Sequence, residues 1–209
     1  MKKRIKNMSD LRLNLVFIGR SGSGKGTQAT LMKEFLEKRD GNGSVFYVYA
    51  GEIFRTLIKN QPRLEVSALL DAKVMKKGDK APDFSAIWAW GNEFIYRLNK
   101  DQHIIVDGSP RTILEAKALD ECLEFLDREN VFPILVDVSA EEVKQRMLLR
   151  GRQDDNEEQI KNRIFYYEKY VVPAIEYYSH ESKNKLIVID GNPHDVNLIH
   201  HSLLKALNL

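Results

Sequence analysis

The sequence predicts an α/β domain built on a doubly wound, five-stranded parallel sheet. Three observations support that expectation. Four short apolar runs share one character: LNLVFIG (13–19), VFYVYA (45–50), HIIVDG (103–108) and FPILVDV (132–138). A fifth, KLIVID (185–190), lies near the end of the chain. All are rich in β-branched residues and apolar at successive positions, as strands covered on both faces are. Longer stretches with helical spacing separate them, and such alternation winds a parallel sheet.

Taken in order, residues 1–12 (MKKRIKNMSDLR) are basic and lack the apolar block of a secretory signal, so they are expected to form a solvated leader. The first run enters a glycine-rich loop, and Thr27 to Lys38 then reads as an amphipathic helix. After the second run no strand-like segment occurs from Gly51 to Gln102. A simple crossover needs only about a dozen residues. This interval is therefore expected to hold several short helices, broken at NQP and KKGDKAPD, and to include a substrate-binding insertion over 50–82. After the third run, Ile113, Ala116, Leu119, Leu123 and Leu126 recur on one side of a helix. A charged helical region, QRMLLRGRQDDNEEQIKNR (145–163), follows the fourth run.

At 209 residues the chain suits one sizeable domain. A formal charge of +2 gives no support for a polyanion-binding surface, so no nucleic-acid partner is expected. No apolar run approaches the length needed to cross a bilayer, so no membrane partner is expected either. Cys122, the single cysteine, sits at an apolar helical position and reads as a buried structural thiol. The five histidines are scattered, and the adjacent His200 and His201 do not have ligand spacing. The expected compartment is the cytoplasm.

The chemistry starts at GRSGSGKGTQ (19–28). An ordinary phosphate loop follows its lysine with a Ser or Thr that ligates magnesium. Here Gly26 stands in that place and Thr27 comes one residue later. The context is right, with a strand before and a helix after. Gly22, Gly24 and Gly26 let backbone amides approach phosphate at a positive helix end, with Ser23 and Thr27 in the same ATP-binding cradle. Lys25 supplies a mobile cation for the β- and γ-phosphates.

The pattern GxxGxGKGTQ resembles the phosphate loop of the adenylate kinase family, the nucleoside monophosphate kinases. That family places glycine after the lysine and holds magnesium largely through water. The resemblance implies a P-loop NTPase fold, with ATP and a nucleoside monophosphate as substrates and Mg2+ as cofactor. Moving phosphate between two nucleotides requires converging guanidiniums. AGEIFR (50–55) resembles the family's T/A-G-D-x-x-R, which places Ala50 at the acceptor site and gives Arg55 its α-phosphate. VDGSPRT (106–112) is similar to D-G-F-P-R-T. By that match Gly108 and Arg111 complete the phosphate clamp, and Asp107 orients magnesium-bound water. Lys80 is assigned to the acceptor side and Asn192 to the ATP side on the same resemblance.

Residues 145–163 resemble the region around the family's ATP lid. Arg146 would stack on the ATP base, and Arg150, Arg152 and Arg163 would meet the transferring group. Asp154 and Asp155 would hold those arginines. Taken alone, NEEQIKNR is also what a solvated helix with i, i+4 pairs looks like. Only Gly151 separates Arg150 from Arg152, so the lid (150–155) is minimal and, lacking cysteine, not a zinc lid. The expected consequence is weaker shielding of ATP from water, or shielding supplied by the rest of the helix pair. The core is then assigned to 13–49, 83–149 and 156–209, within a single domain 13–209 that is expected to be monomeric.

Adenylate kinases read adenine with a Gln four residues beyond the second arginine, where this chain has Glu115. A carboxylate only accepts, which suits guanine's N1–H and N2–H2 better than adenine. Alternatively, Glu115 points to solvent and backbone groups read the base. Ala50 is frequent in UMP/CMP kinases, and Ser109 replaces the family's Phe. AMP is the expected acceptor, with GMP and pyrimidine monophosphates open. A P-loop kinase for another metabolite, such as shikimate or gluconate, explains Lys25 and Asp107 but not AGEIFR together with DGSPRT. A non-catalytic nucleotide-binding module or assembly ATPase fits Ala50, Glu115 and the short lid, but not five retained arginines.

Overall fold

A computed structural model describes residues 11–151 and 155–209. Most of the leader assigned to 1–12, and the site candidates Arg152 and Asp154, lie outside the described residues. Among those described, β1 (Asn14–Ile18), β2 (Val45–Tyr49), β3 (His103–Asp107), β4 (Val131–Asp137) and β5 (Ile187–Asp190) form one sheet. Its order is β2-β3-β1-β4-β5 and every pair is parallel.

β1 is the axis of the fold, and all five of its residues are buried. Alternation sends Val16 and Ile18 to one face, where Phe46, Val48, Ile104, Val106, Leu119 and Leu123 meet them. Leu15 and Phe17 point to the other face, among Ala29, Met32, Leu36, Ile134 and Leu203. Each such side chain stabilises the fold by roughly 1.5–3 kcal/mol. The edge strand β5 departs from the two-faced expectation. Only Ile189 is buried there and Val188 is exposed, since among the described residues its outer face is left uncovered. Pro133 sits within β4 before the β4–β5 pairing begins at Ile134, so its missing N–H costs no ladder bond on that side.

Between the strands run α1 (Lys25–Asp40), α2 (Ala50–Asn60), α3 (Glu65–Leu70) and α4 (Asp83–Arg97). α3 continues into a π-helical turn at Asp71–Met75. The chain breaks at the two expected places, and a small separate core of Ala50, Phe54, Leu70, Val74, Ala81, Ala86 and Ala89 binds these pieces together. Next come α5 (Ile113–Phe125), α6 (Ala140–Arg150) and α7 (Glu157–Tyr166), then α8 (Val172–His180) and α9 (Val196–Ala206). Between α7 and α8 the helix widens into a π-helical turn at Tyr167–Val171, directly before Pro173. The proline ring excludes the carbonyl four residues earlier, which gives the irregularity a cause.

On α5 the expected stripe holds at Ala116, Leu119 and Leu123, but Ile113 is exposed and Glu115 and Asp120 are buried instead. Asp120 accepts from Tyr177 Oη (2.9 Å), Ser182 Oγ (2.6 Å) and Asn184 Nδ2 (3.0 Å), which satisfies a buried carboxylate. Cys122 is half-buried at the rim of the core rather than fully enclosed, and burial pushes its thiol up. Among the described residues no helix is long and apolar enough to cross a membrane.

Candidate active site

Parallel register makes the site. Phe17 pairs opposite Asp107, so the loop leaving β1 rises beside the carboxyl end of β3. Clefts of α/β sheets form at such strand ends. Here the cleft measures about 320 Å³ and is lined from the β1–α1 loop, α2, the α3–α4 connection, the β3–α5 turn, α6 and α7.

Gly22, Gly24, Lys25, Gly26 and Thr27 form its phosphate-sized end. Gly24 caps α1 at φ 86°, a left-handed conformation that favours glycine. None of the residues in the first turn of α1 is acidic, so the helix itself does not offset its positive end. Lys25 Nζ donates to the Arg20 carbonyl at 3.2 Å. The geometry also explains the odd glycine. A Cβ at position 26 would stand 3.1 Å from Asp107 Oδ2, so Ser or Thr there would crowd the carboxylate. Ser23, by contrast, is buried beneath the loop and its side chain does not line the cleft.

Asp107 Oδ2 accepts from Tyr47 Oη at 2.9 Å, while Oδ1 is buried with no partner among the described residues. Burial and then the Asp107 charge push the Tyr47 phenol up, keeping it a donor. Gly108, at φ 72°, turns the chain, and its carbonyl accepts from Arg111 Nε at 2.9 Å. The Arg111 guanidinium lies 5.7 Å from the Tyr166 ring centre, and the tyrosine pushes the arginine's pKa up against the opposing effect of desolvation. Arg55 reaches the cleft from α2, 5.2 Å from the Tyr49 ring centre and 3.7 Å from Glu52. Burial raises the Tyr49 and Tyr166 phenols, but the surrounding cations outweigh it and hold both below the usual range. For Tyr49 they are Lys25, Arg55 and Arg111; for Tyr166, Arg111, Lys25 and Arg163.

On the other wall Asp155 gathers two arginines. Arg150 grips it with two bonds of 2.8 Å, and Arg163 Nη1 adds one of 2.6 Å. Burial works against this carboxylate, yet the two guanidiniums together keep its pKa depressed. Arg146 is fixed by Glu142 (2.6 Å) and by the carbonyls of Gly191 (2.9 Å) and Asn192 (2.8 Å). Asn192 thus meets Arg146 through its backbone; its side chain instead accepts from Ser139 N–H and donates to Asp190. Lys80 is not brought to the cleft either. Its ammonium donates to Asp83 (2.6 Å) and to the Ala81 carbonyl (2.8 Å).

Ala50 lines the cleft, and Glu115 closes its inner end. Glu115 is fully buried, so the expectation that it might face solvent is overturned. Oε2 accepts from the Arg111 N–H at 3.2 Å and Oε1 has no partner among the described residues. Burial pushes the carboxyl up against the opposing pull of Arg111. Apolar wall around this end comes from Phe54, Val74 and Ala86.

Sequence reasoning missed the tyrosines and the tie across the cleft. One signal for Tyr49 was available in Gly51, where a Cβ would stand 2.8 Å from the ring. The tie runs from α7. Gln159 Nε2 donates to the Lys76 carbonyl (2.9 Å) and Asn162 Nδ2 to the Lys77 carbonyl (2.8 Å), both in the connection ahead of α4.

Comparison with known proteins agrees with this geometry. A family model described as adenylate kinase matches residues 17–183. The chain is 36% identical over 168 residues to an adenylate kinase of Leptospira biflexa, covering 78% of this chain and 84% of that protein. It is 35% identical over 179 residues to an adenylate kinase of Flavobacterium psychrophilum, covering 82% and 87%. With adenylate kinase 1 of a Nostoc species the identity is 31% over 192 residues, covering 92% and 96%.

Proposed function

The chain belongs to the adenylate kinase family, and on that premise we propose that its cleft transfers the γ-phosphoryl group of ATP to AMP, giving two ADP. The observation that supports this most directly is convergence. Lys25, Arg55, Arg111, Arg146, Arg150 and Arg163 come from five separate segments, Arg146 and Arg150 sharing α6, and line one cleft. A module that only stored a nucleotide would gain nothing from so many cations in one place. Family and relatives favour neither a GMP, UMP or CMP kinase nor an assembly ATPase.

Phosphoryl transfer asks a protein for position and charge neutralisation more than for covalent chemistry. Amides of 22–27 and Lys25 hold the β- and γ-phosphates of ATP, and Arg146 packs on its base. Arg55 and Arg111 grip the AMP phosphate and set its oxygen in line for attack. Arg150 and Arg163, joined by Arg152, meet the charge spreading over the transferred group, with Asp155 keeping the first two in place. No general base stronger than these surroundings is needed. Asp107 fits magnesium held through water, since its Oδ1 is buried in the cleft wall without a partner among the described residues and Gly26 offers no hydroxyl for direct ligation. Held there through water, the ion would supply positive charge to offset that of the phosphates.

Residues 50–82 are assigned as the insertion that closes over AMP and 150–155 as the minimal lid, in a cytoplasmic monomer. The separate apolar cluster of the insertion and its tie to α7 support that division. Incubation with γ-labelled ATP, magnesium and AMP should yield labelled ADP. Label appearing only as inorganic phosphate, at a rate indifferent to AMP, would refute the assignment.

A further inference from the structure

Glu115 poses a chemical problem that depends on reading the cleft as an AMP kinase. Its side chain lies at the inner end of the cleft and is fully buried, with Oε1 unpartnered and Oε2 holding one backbone N–H. An unpaired buried oxygen is costly unless a ligand completes it. The Watson–Crick edge of adenine offers a donor at N6 and an acceptor at N1. An ionised carboxylate can answer only the first, whereas a neutral carboxyl answers both, one oxygen accepting and the other donating.

We propose that Glu115 reads the acceptor base as a carboxylic acid, sharing one proton with adenine N1 while its other oxygen accepts from N6–H, so that base preference is set by pH. Enclosure favours the neutral form, as the upward displacement of this carboxyl indicates. The groups facing it are few. Arg111 from the β3–α5 turn and Lys80 from the connection ahead of α4 favour the charge, and Asp83 at the start of α4 opposes it. Lys80 and Asp83 are paired with each other, which weakens the influence of both. From α8 the Tyr178 phenol, itself pushed up by burial, stays neutral beside it. Above its pKa Glu115 becomes a pure acceptor, matched to N1–H and N2–H2 of guanine and mismatched to adenine.

The test is the ratio of kcat/KM for AMP to that for GMP, both with MgATP, from about pH 5.5 to about pH 8.5. Both acceptors carry the same phosphate, so its ionisation cancels in the ratio. The ratio should fall by about tenfold per pH unit once Glu115 ionises. In Glu115→Gln, whose amide keeps donor and acceptor at every pH, it should be flat and favour AMP. A flat ratio in the unaltered protein, or an unchanged slope in the variant, overturns the inference. Should the variant not fold, calorimetry of AMP binding to the unaltered protein in buffers of different ionisation heat serves instead. Proton uptake with AMP and none with GMP is expected above the Glu115 pKa, and equal uptake overturns the idea. Transfer to AMP with a flat ratio removes this inference alone; no transfer to any monophosphate removes the kinase reading with it.

Discussion

The two walls of the cleft hold their arginines by different means. On the α6–α7 wall Arg150 and Arg163 share Asp155, and Arg146 is fixed by Glu142 and two carbonyls. On the β2–β3 wall Arg55 lies against the ring of Tyr49, and Arg111 reaches across to the ring of Tyr166 at the end of α7. A carboxylate fixes direction and cancels charge, whereas a neutral phenol orients a guanidinium while leaving its charge for an incoming phosphate. Held by rings and, for Arg55, by a looser Glu52 contact of 3.7 Å, Arg55 and Arg111 keep more of their charge for an incoming phosphate than Arg150 and Arg163 do. The carboxylate-lined wall holds its guanidiniums in a fixed direction, which on the proposed mechanism suits a group that meets them only during transfer.

Lys25 belongs to neither wall and should give the largest effect. Lys25→Ala removes the one mobile cation of the phosphate cradle, and turnover should fall by at least about 10³-fold. Circular dichroism and thermal midpoint should be unchanged, because among the described residues the ammonium makes a single hydrogen bond, to Arg20 O. Arg111→Ala follows, breaking the β2–β3 wall. It should lower kcat by about 10²-fold and also raise KM for AMP, since the guanidinium both captures the acceptor and meets developing charge. A rise in KM with kcat unchanged would mean that this wall only binds.

That contrast was only partly legible in the sequence. Cradle and strands are contiguous segments whose backbone does the work, so GRSGSGKGTQ and five apolar runs were enough to find them. Gly26 looked like an omission until the register of β1 on β3 brought Asp107 within 3.1 Å of where its Cβ would be. Arginines were legible as candidates because each sat in a short motif, but what holds them was not. Tyr49 and Tyr166 lie far apart in the chain, and only the fold carries their hydroxyls to the same cations. Lys80 and Asn192 show the opposite failure, since near neighbours at Asp83 and Asp190 claim side chains that their positions seemed to assign to nucleotides. Glu115 was read as solvent-facing or base-facing, and its burial in the cleft wall overturns the first.

Asp155→Asn tests the other wall. The amide cannot accept the same set of bonds from two guanidiniums, so stability should drop by about 1–3 kcal/mol and kcat by about 10-fold to 10²-fold. Its pH dependence distinguishes an ion pair from packing. The folded pKa of Asp155 is depressed, so its contribution is present above the ordinary carboxyl range and is lost as pH falls through the folded value. Thermal midpoints of variant and parent should therefore differ most near neutrality and converge in acid. A constant difference across that range would mean the carboxylate matters for shape and not for charge.

Tyr49→Phe should give the smallest effect and the sharpest view of the comparison. It keeps the ring against Gly51 and Arg55 and removes only the hydroxyl. With one hydrogen-bonding group lost near the phosphate site, KM for AMP should rise by about 3-fold to 10-fold, with little change in kcat. The alkaline side of the profile is more telling. Lys25, Arg55 and Arg111 hold the phenol pKa below its usual value, so as pH rises it ionises earlier than a free tyrosine. The phenolate then occupies the same cations that the acceptor phosphate needs, and kcat/KM for AMP declines. Phenylalanine cannot do this, so the variant should keep its activity to higher pH than the parent. Tyr166→Phe is the necessary companion, because that phenol is lowered too, with Arg111 the strongest of its cations. If neither substitution moves the alkaline limb, the tyrosines only pack against the arginines, and the distinction between the two walls reduces to the Asp155 side.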